Sequence, residues 1–198
     1  MCLLCKTAAA QYPDVSDEPY HMPIFGHDCF RYLNVSANPG DTTNYHVHRN
    51  PILYLTIMGS EVWLDEASRE PRTVKLSTGW TGSDGYGNGD TLLHRFAVVG
   101  DSPLHIIAVE IIGTCANVDH PPTDPFYQEH GFSVYELDWA SYMDGGYFEK
   151  FPAVVPPFPI HREGWVTYGA GYLIRPSEEG YMPPPGVEVV YIVLPTKE

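Results

Sequence analysis

The sequence predicts an all-β protein, an antiparallel barrel or sandwich with N- and C-terminal extensions, on three observations. It carries 19 prolines and 18 glycines, a supply that favours turns and short strands over long helices. From Phe30 onward it breaks into short runs rich in Tyr, Val, Ile and Leu, the texture expected of strands. Turn residues separate these runs, so consecutive runs pair as hairpins. A length of 198 residues buries a real core and fits one domain with extensions better than two full domains.

Taken in order, residues 1–29 form an N-terminal arm, because Pro13, Pro19 and Pro23 break any helix there. Residues 30–113 form the barrel. Its expected strands are Phe30 to Ala37, Thr43 to His48, Ile52 to Met58, Ser60 to Asp65, Arg72 to Leu76, Thr91 to Val99 and Leu104 to Ile112. Asn38-Pro39-Gly40-Asp41, Arg49-Asn50-Pro51 and Met58-Gly59-Ser60 supply the first three turns. The glycine-rich stretch Thr78 to Asp90, with Trp80 and Tyr86, reads as an ordered loop across the barrel mouth.

Residues 114–198 form a C-terminal extension in which 12 of the 19 prolines lie, between Pro121 and Pro195, so long helices are ruled out there. Phe132 to Trp139 and Val187 to Leu194 read as strands, and Phe151 to Pro159 as extended or polyproline-like chain. The extension is either a degenerate second copy of the barrel or an arm that packs on the barrel or on a partner subunit. The lack of a second H-x-H favours the arm, and arms at both ends favour a homodimer.

Eleven basic residues against 25 acidic ones give a formal charge of −14, which repels phosphate backbones and anionic lipid headgroups. The charge argues against nucleic acid and membrane partners and leaves a small-molecule substrate. No apolar run approaches the roughly 20 residues that span a bilayer, and Met1 to Ala10 lacks a secretory pattern, so a cytoplasmic protein is expected. In a reducing compartment the four cysteines stay as thiols, with Cys29 and Cys115 as small core residues. Cys2 and Cys5 form a lone C-x-x-C in a frayed terminus.

The chemistry concentrates in two segments. Side chains at i and i+2 of a strand share a face, so His46 and His48 point together and can reach one metal ion. His94 is the natural third ligand, since it opens an apolar strand directly after the glycine-rich loop and a closed barrel returns that strand to the first. His21, His27, His120, His130 and His161 lie in irregular segments and receive no role.

Gly40, His46, His48 and Gly59 resemble, in register, the first motif of the cupin family: a glycine, H-x-H, a glutamate and a closing glycine. His94 stands where the second motif carries its ligand histidine, and the resemblance covers about Phe30 to Ile112. It implies a cupin barrel, the double-stranded β-helix or jelly roll, with a divalent metal on His46, His48 and His94. Two departures stand out. The family glutamate falls at Ile52, or at Leu53 with the longer spacing, and Gly89 to Leu93 does not reproduce the P-x-G turn before the last histidine. Loss of the glutamate resembles the three-histidine iron dioxygenases, which implies Fe(II) as cofactor and dioxygen as co-substrate. Zn, Mn, Ni and Cu also suit imidazole. The alternatives are a non-redox lyase or isomerase using the ion as a Lewis acid, and a small-ligand-binding cupin without catalysis.

Around this triad, strand alternation puts Tyr54 and Thr56 on the face of the missing glutamate, making Tyr54 a catalytic candidate or a barrel tyrosine bonded elsewhere. Glu110 is the second candidate, orienting a histidine, replacing the lost ligand, or lying on an exposed edge. Phe96 and Val98 share the face of His94, Arg95 points away to solvent or an interface, and either Arg31 or Tyr32 faces inward.

Overall fold

The computed structural model describes residues 12–26, 28–114, 118–156, 158–162, 165–169, 171–174 and 187–197. Cys2, Cys5, His27, Cys115, the Glu178-Glu179 pair and the side chain of His161 lie outside the described residues. The N-terminal segment is more ordered than its prolines imply: a 3-10 turn, Val15–Asp17, leads into strand β1 (His21–Gly26). Pro23 is tolerated because β1 is an edge strand whose register against its neighbour shifts between Pro23 and Phe25.

The barrel strands follow as β2 (Phe30–Ala37), β3 (His46–His48), β4 (Ile52–Met58), β5 (Glu61–Glu66), β6 (Arg72–Lys75), β7 (Thr81–Asp84), β8 (Leu92–Val98) and β9 (Leu104–Ile111). The stretch expected as a loop across the mouth contains β7, which pairs with β4 from Ile52↔Asp84 to Leu55↔Thr81. Its backbone groups thereby enter a ladder, which a free loop could not offer them. At the first turn Gly40 has φ +89°, a conformation that suits glycine, and the Asn38 amide donates to the Asp41 carboxylate at 2.7 Å.

Two sheets result, ordered β1-β2-β9-β4-β7 and β3-β8-β5-β6, with every neighbouring pair antiparallel. Strand β2 pairs with β9, β3 with β8, β4 with β7 and β5 with β6, as in one long hairpin wound around an axis. That pairing is the double-stranded β-helix, or jelly roll.

Alternation divides the first sheet between two cores. Leu33, Val35, Ile52, Ile106 and Ala108 face the barrel interior with Val62 and Phe96. Phe30, Tyr32, Leu53, Leu55, Ile57, Ile107 and Val109 face the other way. Both faces of β4 and β9 are covered, which is why these strands read as nearly continuous apolar runs.

The outer cover comes from the C-terminal segment. Strands β10 (Tyr127–Glu129), β11 (Phe132–Asp138), β12 (Ala153–Val155), β15 (Tyr172–Ile174) and β16 (Val189–Pro195) form a second five-stranded sheet, while β13 (Phe158–Arg162) and β14 (Trp165–Gly169) pair with each other. The stretch expected as polyproline-like thus joins a ladder, Ala153–Val155 lying between β15 and β16. The short helix α1 (Trp139–Asp144) is capped by the Asp138 carboxylate, which accepts from Ser141 N at 2.7 Å. Phe132, Val134 and Ile192 pack on the barrel's outer face, with the Phe30 and Phe132 rings stacked at 6.2 Å.

Cys29 is fully buried and disulfide-bonded, which corrects the expectation of a free thiol. Disulfides persist in oxidising surroundings, so this bond removes the cysteine argument for a cytoplasmic protein. No helix among the described residues is long and apolar enough to cross a membrane.

Replacing Phe132 with Ala empties the centre of the inter-sheet core and is expected to cost about 3–5 kcal/mol. A urea midpoint compared with that of Met22→Ala checks it, since exposed Met22 should change stability by less than about 0.5 kcal/mol.

Candidate metal centre

Strand β3 is only three residues long, and its alternation sends both His46 and His48 into the barrel, where they are buried. The pairing of β3 with β8 sets His94 directly across from His46. The two ring centroids lie 4.5 Å apart, and the His48 and His94 rings 4.9 Å. His48 Nε2 and His94 Nε2 approach to 2.9 Å.

A fourth ring completes the group. His21, from β1, stands 4.5 Å from His46 and 6.2 Å from His48 between centroids. One nitrogen each of His21, His46 and His48 lies within 4.8 Å of the others. No role was expected for His21, because its proline-flanked segment carries no strand periodicity. The usable signal was Glu18 three residues earlier: its carboxylate accepts from His21 Nδ1 at 2.9 Å.

Hydrogen bonds orient two rings. His46 Nδ1 donates to the Asn44 carbonyl oxygen at 2.9 Å, which leaves the lone pair of that ring on Nε2, and His21 Nδ1 donates to Glu18 at 2.9 Å. His46 Nε2 is buried with no hydrogen-bond partner, and so is His48 Nδ1. Two imidazole nitrogens 2.9 Å apart need a proton or a cation between them. Two nitrogens at right angles on one ion, with bonds of about 2.1 Å, stand about 3.0 Å apart. The orphaned lone pair, the close approach and the all-imidazole donor set therefore fit a transition-metal ion.

Burial, with the neighbouring His21, pushes His46 down to about 4. Burial also holds His48 and His94 well below the usual histidine range, and the other rings add to it. These three rings are neutral at pH 7, the form that binds metal.

His21, His48 and His94 line one wall of a cavity of about 510 Å³ whose other walls include Val35, Val74, Leu104 and Ile106. Tyr54 also lines it, with the Asp84 carboxylate near both its phenol and that of Tyr86. Burial and then Asp84 hold the Tyr54 phenol well above its usual range, and Tyr86 is raised by the same two causes. Trp80 stacks on Tyr54 at the cavity edge, with its indole over Gly82, where a Cβ would collide with the ring at 2.4 Å. At the mouth Glu66 is held by Arg72 at 2.7 Å. Phe96 joins the wall, whereas Val98 is core, and Arg95 turns outward to Asp65 at 2.9 Å and over the Tyr45 ring.

Glu110 pairs with Arg31 rather than with a histidine. It is 0% exposed, so it is no exposed edge, and it sits across from Ile52 on β4 and Arg31 on β2. Of the two inward candidates on β2, Arg31 takes the barrel side and donates from Nε to Glu110 at 2.7 Å, while Tyr32 faces the C-terminal sheet. Arg31 also reaches Asp14 at 2.9 Å and Ser16 at 2.7 Å. The directly opposed cation captures the carboxylate before any ring can, because the low dielectric makes an unpaired charge there costly.

Two predictions follow from these charges. In the metal-free protein the unfolded chain binds more protons than the folded one wherever a histidine is depressed, so stability is full above about pH 6.5 and falls as pH drops towards 4. Urea midpoints from pH 7 to pH 4.5 check this, and His46→Gln should flatten the slope. Arg31→Met strands Glu110 and should cost about 3 kcal/mol, with R31M/E110Q recovering much of it. Burial already pushes the Glu110 carboxyl up, so protonation limits the loss.

No family model matches the chain, and no curated protein matches it. Solved structures similar to it include a cupin domain from Bordetella pertussis Tohama I, 15% identical over 52% of this chain and 98% of that one, with a TM-score of 0.41. An RmlC-like cupin family protein with a double-stranded β-helix fold from Methanocaldococcus jannaschii is 12% identical over 45% of this chain and 75% of that one, TM-score 0.37. A DMSP lyase from Ruegeria pomeroyi DSS-3 is 17% identical over 46% of this chain and 42% of that one, TM-score 0.34. The strand pairing of the barrel itself is what assigns the fold: the chain contains a double-stranded β-helix with a histidine cluster on its inner wall.

Proposed function

We propose that the protein is a metal-dependent enzyme acting on a small organic molecule, with His46, His48 and His94 holding one divalent ion. The carrying observation is the 2.9 Å approach of His48 Nε2 to His94 Nε2 on the wall of a 510 Å³ cavity. A cavity of that size, apolar with a few convergent polar groups, is the usual form of a small-molecule site.

The finer reading is an iron(II) dioxygenase. When bound, Fe(II) supplies open positions for substrate and dioxygen together. It is supported by a donor set of neutral imidazoles, with apolar Ile52 in place of a carboxylate ligand and Glu110 engaged by Arg31. The apolar walls hold the substrate and exclude bulk water. Tyr54 and Tyr86 stay protonated at neutral pH, so each can donate a hydrogen bond to a substrate oxygen.

The same two phenols favour a second reading, a non-redox lyase or isomerase. There the Tyr54 phenol, protonated at neutral pH, stabilises oxyanion charge on the substrate by donating its hydrogen bond. Oxygen separates the readings: turnover that stops under nitrogen supports the dioxygenase, and turnover that continues supports the lyase or isomerase.

Metal analysis of protein purified without added metal should find about one divalent ion per chain, with Fe(II) expected. His48→Ala should lose most of it while keeping the far-UV CD of the wild type. Wild-type protein that takes up no ion from a Zn(II), Fe(II) or Mn(II) solution would refute the proposal.

A further inference from the structure

Cupin-type sites of the first motif complete their ligand set with a carboxylate, and at that position this chain has Ile52, buried in the barrel core. The group that could replace it by proximity, Glu110, is held by Arg31. What the structure does contain is His21, whose nitrogen groups with those of His46 and His48 in a set that leaves out His94, and behind it a carboxylate that is only 2% exposed. Burying a carboxylate without a purpose for its charge is costly, so its partners are informative.

Glu18 has three donors. Its Oε2 accepts from Tyr20 N at 2.7 Å and from His21 Nδ1 at 2.9 Å, and its Oε1 accepts from Asn44 N at 3.0 Å. None of these is a lysine or arginine. The carboxylate therefore holds the His21 ring by Nδ1, which leaves Nε2 as the nitrogen the ring can offer to an ion shared with His46 and His48. Asn44 serves both rings, its N–H on Glu18 and its carbonyl under His46 Nδ1. The segment is further stitched to β3, since Val47 N donates to the Pro13 carbonyl at 2.9 Å. A carboxylate behind a metal-bound histidine sets the tautomer and raises the basicity of the ring.

We propose that His21 is a fourth imidazole ligand of the same ion, and that Glu18 supplies through the His21 ring the negative charge absent at Ile52. The site is then an all-imidazole first coordination sphere with one anion placed a ring's width away, built partly from the N-terminal strand. This rests on the metal reading above and adds ligands to it.

The test uses the full chain loaded with Zn(II) alone. X-ray absorption should count four imidazoles in the wild type and three in His21→Ala. Competition with a chelator should show affinity lower by more than about 100-fold in His21→Ala and by about 10- to 100-fold in Glu18→Gln, whose side chain keeps its shape and loses its charge. Met22→Ala, on the same strand with an exposed side chain, should bind as the wild type does. Unchanged affinity in both His21→Ala and Glu18→Gln, or a wild-type count of three imidazoles or fewer, overturns the proposal. If His21→Ala does not fold, the wild-type count and Glu18→Gln decide it. Loss of zinc in His48→Ala alongside full retention in His21→Ala defeats this inference alone, whereas a wild type that binds no ion defeats the metal reading as well.

Discussion

The pairing of β3 with β8 is the constraint on which the rest of the molecule depends. It sets His46 opposite His94, and alternation then brings His48 onto the same wall. A slip of β3 by one residue would turn His46 and His48 away from the barrel. The register is held because β8 is also paired on its other side, Val62↔Val98 through Glu66↔His94, so the strand cannot slide without breaking two ladders. The geometry of the centre is thus a property of the closed double sheet rather than of any flexible loop.

The C-terminal sheet serves this geometry from behind. It covers the outer face of β2, β4 and β9, so the sheet opposite the histidine strands is packed on both sides. It also reaches β7, where Ser83 bonds the Tyr127 hydroxyl at 2.6 Å and His130 Nδ1 at 2.8 Å. Ser83 precedes Asp84, a carboxylate of the cavity wall, and side chains of adjacent strand residues point to opposite faces. One face of β7 is anchored to the second sheet while the other addresses the cavity.

Buried charge is distributed with care around the centre. Glu110 is matched by Arg31, Glu66 by Arg72, and Glu18 by two backbone amides and a histidine. Each carboxylate has donors of its own, which a low-dielectric interior demands. Among these three, Glu18 is the one hydrogen-bonded to a ring of the histidine cluster, through His21 Nδ1.

The sequence by itself determined the all-β class, the positions of most barrel strands and the shared face of His46 and His48. These follow from period-two alternation and turn chemistry, which act between residues near in the chain. It also carried the inward parity of Tyr54 and of Phe96 with His94. Tertiary structure alone decided that His21 joins the cluster, that Arg31 captures Glu110, that Asp84 lines the cavity with Tyr54, and that part of the glycine-rich stretch is a strand. Parity says which residues share a face, but not which strand lies opposite or which charge arrives first. Those outcomes are set by pairing register across tens of residues, and a proline-flanked segment such as that of His21 shows no local period from which to read it.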